Sequence, residues 1–354
     1  MNCLRLRKTS IWILNPTIKH ISIVQDEGEQ NMKLYFETEH LIIRPLVPED
    51  AEAVFVWCGD PIVNTYMFYP LYHNVSDVRT WLENRDADDP DNYDEGIILK
   101  KTGELIGSGG MRYHHERNAW EIGYNLRADQ WGHGYTVEYL VALIGEIQKV
   151  RPVEAIDGIF ATDNHKSQRV MEKLGMVYIR DTSFDKLDGS QTFKAKYYRR
   201  NFPQPADQCM VCDRIYKIRE GINPYFVKEL ETGYVVIGDQ QRFEGYTLFI
   251  CKEHATELSQ LSPNFRNTFL RDMAITAEAV ENAFHPDKLN YELLGTGTSK
   301  HMHWHIFPRR NGDTPQPGPV WQVHDINDAN YLPSPKKLDE LRYKLKRELE
   351  LICK

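Results

Sequence analysis

At 354 residues the chain is longer than a typical single domain and is expected to fold as two. A hydrophobic share of 41% beside a charged share of 27% is that of a globular, water-soluble chain, and no apolar run approaches the roughly 20 residues of a membrane span. A net charge of −8 argues against nucleic acid or an anionic membrane as the main partner, and six cysteines with one close pair are not a secreted disulfide framework, so a cytoplasmic setting is expected.

Residues 1–31 open with "MNCLRLRKTSIWIL", basic and then briefly apolar. The apolar part is too short for a secretory signal and no small-residue cleavage site follows, so a poorly ordered leader is expected, with Met32 an alternative start. From about 33 to 200, strand-like stretches such as "LIIRPL", "EGIILK", "ELIGSGGMRY", "AWEIGYNL" and "AIDGIFAT" alternate with helical ones, which predicts a mixed α/β fold. Within it, "DQWGHGYTVEYLVALIGEI" sets Gly132, His133 and Gly134 ahead of a helix whose Val137, Leu140, Val141, Ile144 and Ile147 form an apolar stripe. A glycine turn running into a helix N-terminus offers backbone N–H groups and the helix dipole to an anion such as a pyrophosphate. The competing reading is a turn that uses glycine only for positive φ.

The stretch "RRNFPQPADQC" (199–209), with two prolines and no periodicity, predicts a linker over 201–207. Strands "GYVVIGD" and "YTLFIC" come next, then a helix with Phe269, Met273, Ala277, Val280 and Phe284 at helical spacing, then "HMHWHIF". A proline-rich stretch, "DTPQPGPVW", precedes a closing charged helix near 335–352.

In "HMHWHIF", strict alternation predicts a strand with His301, His303 and His305 about 7 Å apart along one face and Met302, Trp304 and Ile306 in the core. A metal site, a reactive histidine with two supporters, and a histidine-rich polar strand face are the competing explanations. A barrel-type zinc hydrolase is disfavoured, because strand and helix repeats should follow the motif and only about fifty residues remain. Upstream, "CMVC" (Cys209, Cys212) and "CKEHATEL" (His254) add the donors of a closed tetrahedral zinc set, against the alternative of two reduced thiols.

Two resemblances follow. Over 33–200, "TEHLIIRPLVPEDAEAVFVW", "GELIGSGGM", "EIGYNL", "QWGHGY" and "ATDNHKSQRVMEKLGM" resemble, in order, the GNAT N-acetyltransferases, particularly the ribosomal-protein acetyltransferase type. The resemblance implies a GNAT mixed sheet that binds acetyl-CoA. Its pyrophosphate loop, Q/R-x-x-G-x-G/A, maps onto Gly132, His133 and Gly134 but puts Asp129 at the Gln/Arg position, with Gln130 next door. Asn164 and Ser167 match residues near the CoA arm, and Met171 stands where a tyrosine often serves as general acid. An amine must lose a proton to attack a thioester. Glu121, on the strand that in this family lines the acceptor cleft, is the expected base, with an exposed strand carboxylate as the bland reading and His114 and His115 as alternatives.

Over 208–325 the chain resembles the histidine-triad (HIT) nucleotidyl hydrolases and transferases, whose motif H-φ-H-φ-H-φ-φ is met from His301 to Phe307. The resemblance implies an α+β domain with an antiparallel sheet, followed by a tail with a helix over 326–354. It implies zinc on Cys209, Cys212, His254 and His301, a nucleophilic His303, and a His305 that contacts phosphate or fixes a tautomer. It also implies small-molecule nucleotide substrates and a homodimer through this domain. In "GTGTSK", Thr298 and Ser299 are candidate phosphate contacts, with Lys300 beside them, and Asn290 is a candidate ribose contact or strand cap. Arg309 and Arg310 are expected as rim charges.

The expected whole is therefore a bifunctional enzyme, an N-acetyltransferase acting on an amine or a protein N-terminus joined to a hydrolase acting at nucleotide α-phosphates. The alternatives are a CoA- or nucleotide-sensing module without turnover in one half, more readily the first, and a structural fusion in which the zinc-stapled domain mediates dimerisation.

Overall fold

The computed structural model describes residues 34–86, 89–316 and 318–353; the leader at 1–31 and the start at Met32 lie outside them. The chain packs as two compact units. One holds the described residues up to Arg151 with Asn164–Leu174 and Phe184–Phe193, and the other holds Pro152–Asp163, Gly175–Ser183 and the chain from Lys194 on.

In the first unit β1 (Phe36–Glu37), β2 (Leu41–Pro45), β3 (Asn92–Leu99), β4 (Glu104–His114) and β5 (Ala119–Leu126) are successive antiparallel neighbours. Alternation splits β5 into a face that buries Trp120 and Ile122 and a face that carries Glu121, Gly123 and Asn125. Helices α1 (Ala51–Cys58), α2 (Pro61–Asn64) and α3 (Val75–Glu83) pool Val54, Trp57, Val63, Val78 and Leu82 in one core cluster. Helix α4 (Tyr135–Val150) buries Leu140, Ile144 and Ile147 of the expected stripe, but also Tyr139 and Leu143, while Val137 and Val141 stay half-buried. Its apolar surface is thus wider than one stripe, and the helix is covered on more than one side. Gly109 on β4 makes the close approach possible, since a Cβ there would lie 2.7 Å from the Tyr139 ring. Helix α5 (His165–Lys173) is capped by Asn164, whose side chain accepts from the Ser167 N–H.

Strands β6 (Ala155–Ala161), β7 (Val177–Asp185) and β8 (Thr192–Asn201) come next, and β6 pairs antiparallel with β8. The pairing sets buried Asp157 opposite buried Arg199, and the Tyr197 hydroxyl donates to Asp157 Oδ2 at 2.7 Å. Gln204, inside the 201–207 stretch, is buried, and its amide donates to the carbonyls of Val153 (3.1 Å) and Phe202 (2.8 Å).

The rest of the second unit is α6 (Met210–Arg219), β9 (Phe226–Glu229), β10 (Gly233–Ile237), β11 (Thr247–Cys251), α7 (Pro263–Phe284), β12 (Lys288–Leu293), β13 (His303–Arg309) and α8 (Pro335–Ile352). The strands form one antiparallel sheet in the order β12-β13-β11-β10-β9. One face buries Phe249 and Ile306 against Phe269, Val280, Leu341 and Leu345 of α7 and α8, and each such side chain stabilises the fold by roughly 1.5–3 kcal/mol. The other face packs Val236, Leu248 and Ile250 against α6. The chain is therefore α/β in its first half and α+β in its second, as expected. Among the described residues no helix is long and apolar enough to cross a membrane.

Candidate functional site

The histidine strand is built as the alternation requires, with Met302 and Ile306 buried and Trp304 packed at the edge of the same core. β13 begins only at His303, so His301 sits just outside the ladder and turns its ring elsewhere. The His303 and His305 rings lean together to 4.7 Å between centroids, closer than the repeat along an extended strand.

His303 Nδ1 lies 2.7 Å from the carbonyl oxygen of His301, and a carbonyl can only accept. The ring therefore carries its proton on Nδ1 and presents the Nε2 lone pair, and burial lowers its proton affinity, which keeps it neutral. His305 has the complementary arrangement, with Nδ1 2.6 Å from the Tyr246 hydroxyl. Burial pushes the Tyr246 phenol far above its usual range, while burial and, second, the repulsion that protonating both neighbouring imidazoles would bring push His305 down to about 3. Both groups are neutral, and a phenol O–H that donates to Nδ1 leaves the His305 proton on Nε2. Tyr246 is held for this by stacking on Phe307, with centroids 4.2 Å apart.

Beside this pair, Cys209, Cys212, His254 and His301 are all buried and bring two sulfurs and two imidazole nitrogens within 4.8 Å of one another. Cys212 Sγ lies 3.3 Å from His254 Nδ1 and 3.4 Å from His301 Nδ1, and Cys209 Sγ lies 3.8 Å from the latter. His301 uses its other nitrogen to donate to the Cys251 carbonyl at 2.9 Å, which aims Nδ1 at the sulfurs. The pair is placed by α6, since Cys209 is its N-cap and accepts the Cys212 N–H. A hydrogen bond between the two thiols pulls Cys209 far down and leaves Cys212 as its protonated partner. The Gln204 N–H points at Cys212 Sγ at 3.4 Å, an outer donor suited to a thiolate. Two sulfurs and two imidazoles in a closed, buried set fit a structural tetrahedral zinc.

Thr298 and Ser299 occupy a short helical turn, Gly297–Ser299, packed against α6, and the Ser299 hydroxyl is taken up in donating to the Thr296 carbonyl. Asn290 accepts from Arg309 Nη1 at 3.0 Å, and both line a surface cavity of about 640 Å³ on the β12 edge. Arg309 also grips Asp313 through Nε and Nη2, at 2.7 and 2.9 Å. Tyr246, and with it Arg214 and Asp239, were not singled out by sequence. A tyrosine at a strand end has no local pattern that marks it as a histidine's partner.

In the first unit, Gly132 and Gly134 take φ of +87° and +88°, a region closed to other residues without strain, and Gly134 is the N-cap of α4. Space above both is open, since a Cβ on either would meet no atom within 4 Å. His133 between them stacks on Tyr135, with centroids 5.4 Å apart. Asp129 is ion-paired with Arg127 at 2.8 Å and accepts from Gln130, which offsets its charge beside the turn. The Tyr124 hydroxyl of β5 donates to the Ser167 carbonyl at 3.4 Å, which brings Asn164 and Ser167 to this strand. Met171 is core.

Glu121 shares its face of β5 with Gly123 and Asn125, and a Cβ on Gly123 would also meet open space. Asn125 bounds that space, held by the Tyr69 hydroxyl at 2.6 Å and donating to Ser108 Oγ at 3.3 Å. The half-exposed Glu121 carboxylate is gripped by Arg117, with His114 Nε2 at 3.3 Å from the same oxygen. His115 is turned away to Asp91.

The family described as the acetyltransferase (GNAT) domain matches residues 40–177, and the HIT domain matches residues 222–312. Among curated proteins, an uncharacterized N-acetyltransferase, p20, of Bacillus licheniformis is 33% identical over 110 residues, which is 30% of this chain and 62% of that protein, so the chain spans less than two thirds of its length. Among solved structures, a GNAT-family acetyltransferase from Bacillus anthracis is similar at 22% identity and a TM-score of 0.42, covering 48% of this chain and 98% of that one. The microcin C7 self-immunity acetyltransferase MccE, solved with acetyl-CoA and AMP, is similar at 19% identity and a TM-score of 0.42, covering 47% of this chain and 94% of that one.

Proposed function

The chain carries a GNAT acetyltransferase domain followed by a HIT domain, and we propose that it is a bifunctional enzyme, an acetyl-CoA-dependent N-acetyltransferase joined to a hydrolase that cleaves at the α-phosphate of nucleotides. The observation that carries the second activity is the free Nε2 lone pair on His303 beside the His305 ring, with Tyr246 hydrogen-bonded to His305 Nδ1 so that Nε2–H is the proton it offers in this reading. The His303 lone pair attacks the α-phosphorus. The bond to the leaving group breaks, and the leaving amine or phosphate departs with the electron pair and takes a proton from water. His305 donates its Nε2–H to a phosphate oxygen throughout. A second water then attacks phosphorus and gives a proton to the hydroxide left by the first, the N–P bond breaks, and its electron pair returns to Nε2. Cys209, Cys212, His254 and His301 would hold zinc, which ties the strand start in place.

For acyl transfer, the glycine turn and the α4 N-terminus take the pyrophosphate of acetyl-CoA, and the open space over Gly123 takes the amine. Glu121, reached through a water, accepts the proton lost as the amine attacks the thioester, and the CoA thiolate takes a proton from solvent. A second reading for this half, CoA binding without turnover, is favoured by the Arg117 grip on Glu121 and the absence of a hydroxyl at Met171. A substrate common to both halves is a nucleotide bearing an aminoacyl or amino group, its amine blocked by one and its nucleotide removed by the other.

The test is turnover on adenosine phosphoramidate, aminoacyl-adenylate analogues and diadenosine polyphosphates, with His303→Ala alongside and zinc measured in each preparation. Turnover lost in the variant at unchanged zinc supports the hydrolase. No turnover by the zinc-loaded wild type refutes it. An aminoacyl-nucleotide analogue that inhibits only one activity refutes the common substrate.

A further inference from the structure

Arg214, on α6 two residues beyond Cys212, hydrogen-bonds through Nη2 to Oδ2 of Asp239, which follows β10. Its Nη1 is buried and has no hydrogen-bond partner, and Asp239 Oδ1 is in the same state. Stranding a buried donor is costly, and more so when the group is charged. Two such atoms on one ion pair mark a place where a further polar group completes the set.

The histidine pair shares the sheet face that α6 covers. Helix α6 packs on Leu248 and Ile250 of β11, which are the register partners of His305 and His303. The same helix packs against the Gly297–Ser299 turn that leads into His301. The guanidinium charge is also felt at the Tyr246 phenol, where it favours loss of a proton.

Resting on the hydrolase reading above, we propose that Arg214 is the anion contact of that site: its free Nη1–H donates to a non-bridging oxygen of the phosphate presented to His303, and Asp239 positions the guanidinium from behind. Such a contact recognises the phosphate and not the sugar or base. It separates compounds that carry a phosphate from the corresponding nucleoside.

The test is titration calorimetry of the intact, zinc-loaded chain with AMP and with adenosine, for wild type, Arg214→Met, Arg214→Lys and Asp239→Asn. Wild type should bind AMP at least tenfold more tightly than adenosine. Arg214→Met should weaken AMP tenfold or more and change adenosine less than twofold. Arg214→Lys, which keeps the charge but not the fork, should fall between, and Asp239→Asn should weaken AMP by a smaller factor. If Arg214→Met loses zinc or fails to fold, the lysine and asparagine variants decide by the same ratio. Equal loss for AMP and adenosine, or AMP affinity unchanged in the variants, overturns the proposal while leaving the hydrolase reading intact. A wild type that does not prefer AMP to adenosine overturns both.

Discussion

Replacing Tyr246 by Phe keeps the ring that stacks on Phe307 and removes only the hydroxyl that is hydrogen-bonded to His305 Nδ1 at 2.6 Å, the donor in the account above. A neutral hydrogen bond contributes about 0.5–1.5 kcal/mol, and leaving the Nδ1 acceptor stranded raises the loss to roughly 1–3 kcal/mol. Loss of the bond also frees the proton to move between the two nitrogens, so only part of the population then shows an Nε2–H to the phosphate. If about 1–2 kcal/mol of preference disappears, the two tautomers become comparably populated and kcat falls roughly twofold. Nitrogen-15 spectra of the imidazoles should show His305 as one tautomer in wild type and as a mixture in the variant, while zinc content is unchanged. Because His305 is held down to about 3, the wild-type pattern should not change between pH 5 and pH 8. A Tyr246→Phe enzyme that keeps both the Nε2–H tautomer and its kcat would show that the Tyr246 hydroxyl does not set the His305 proton.

Three further outcomes are expected. Glu95 of β3 is buried with an unpartnered Oε2, and burial, aided by Asp94, pushes it up to about 8. A raised folded-state pKa means that its contribution is fully present below the ordinary carboxylate value and is lost as pH rises toward 8. Wild type should thus lose on the order of a few kcal/mol of first-unit stability between pH 5 and pH 8, and Glu95→Gln should flatten that slope in chemical unfolding, whereas parallel curves would count against it. Cys212→Ala should take bound zinc from about one per chain to near zero and lower the melting temperature of the second unit, and chelation of wild type should do the same. Gly134→Ala adds no clash but forces a Cβ into left-handed backbone at φ +88°, at roughly 1–2 kcal/mol, so CoA affinity measured by calorimetry should fall several-fold; unchanged affinity would mean that the turn does not shape a CoA site.

How much of this could be read from sequence depends on how far apart the partners lie. The alternation in 301–307 announced a strand and its buried face because both are consequences of neighbours two residues apart. The four sulfur and imidazole donors, drawn from positions 209, 212, 254 and 301, were nameable from residue type and family resemblance, and the structure brings them together. Hydrogen bonds made by tertiary contact were not legible. Tyr246 and His305 meet because β11 and β13 pair in one register, and Arg214 meets Asp239 because α6 lies over that sheet. The same holds for Asn125 and Tyr69, which bound the open space over Gly123, and for the grip of Arg117 on Glu121. The α4 stripe was read too narrowly because one-sided periodicity does not anticipate a helix covered on several sides.

Whether His303 is the nucleophile is decided by a rapid quench of the zinc-loaded enzyme with adenosine phosphoramidate, followed by digestion and mass analysis under conditions that keep a phosphorus–nitrogen bond to histidine. An adenylyl group on His303, formed and lost at rates compatible with turnover and absent from His303→Ala, is the result expected. Turnover without any adenylyl-histidine, or with the group on a residue other than His303, would contradict it.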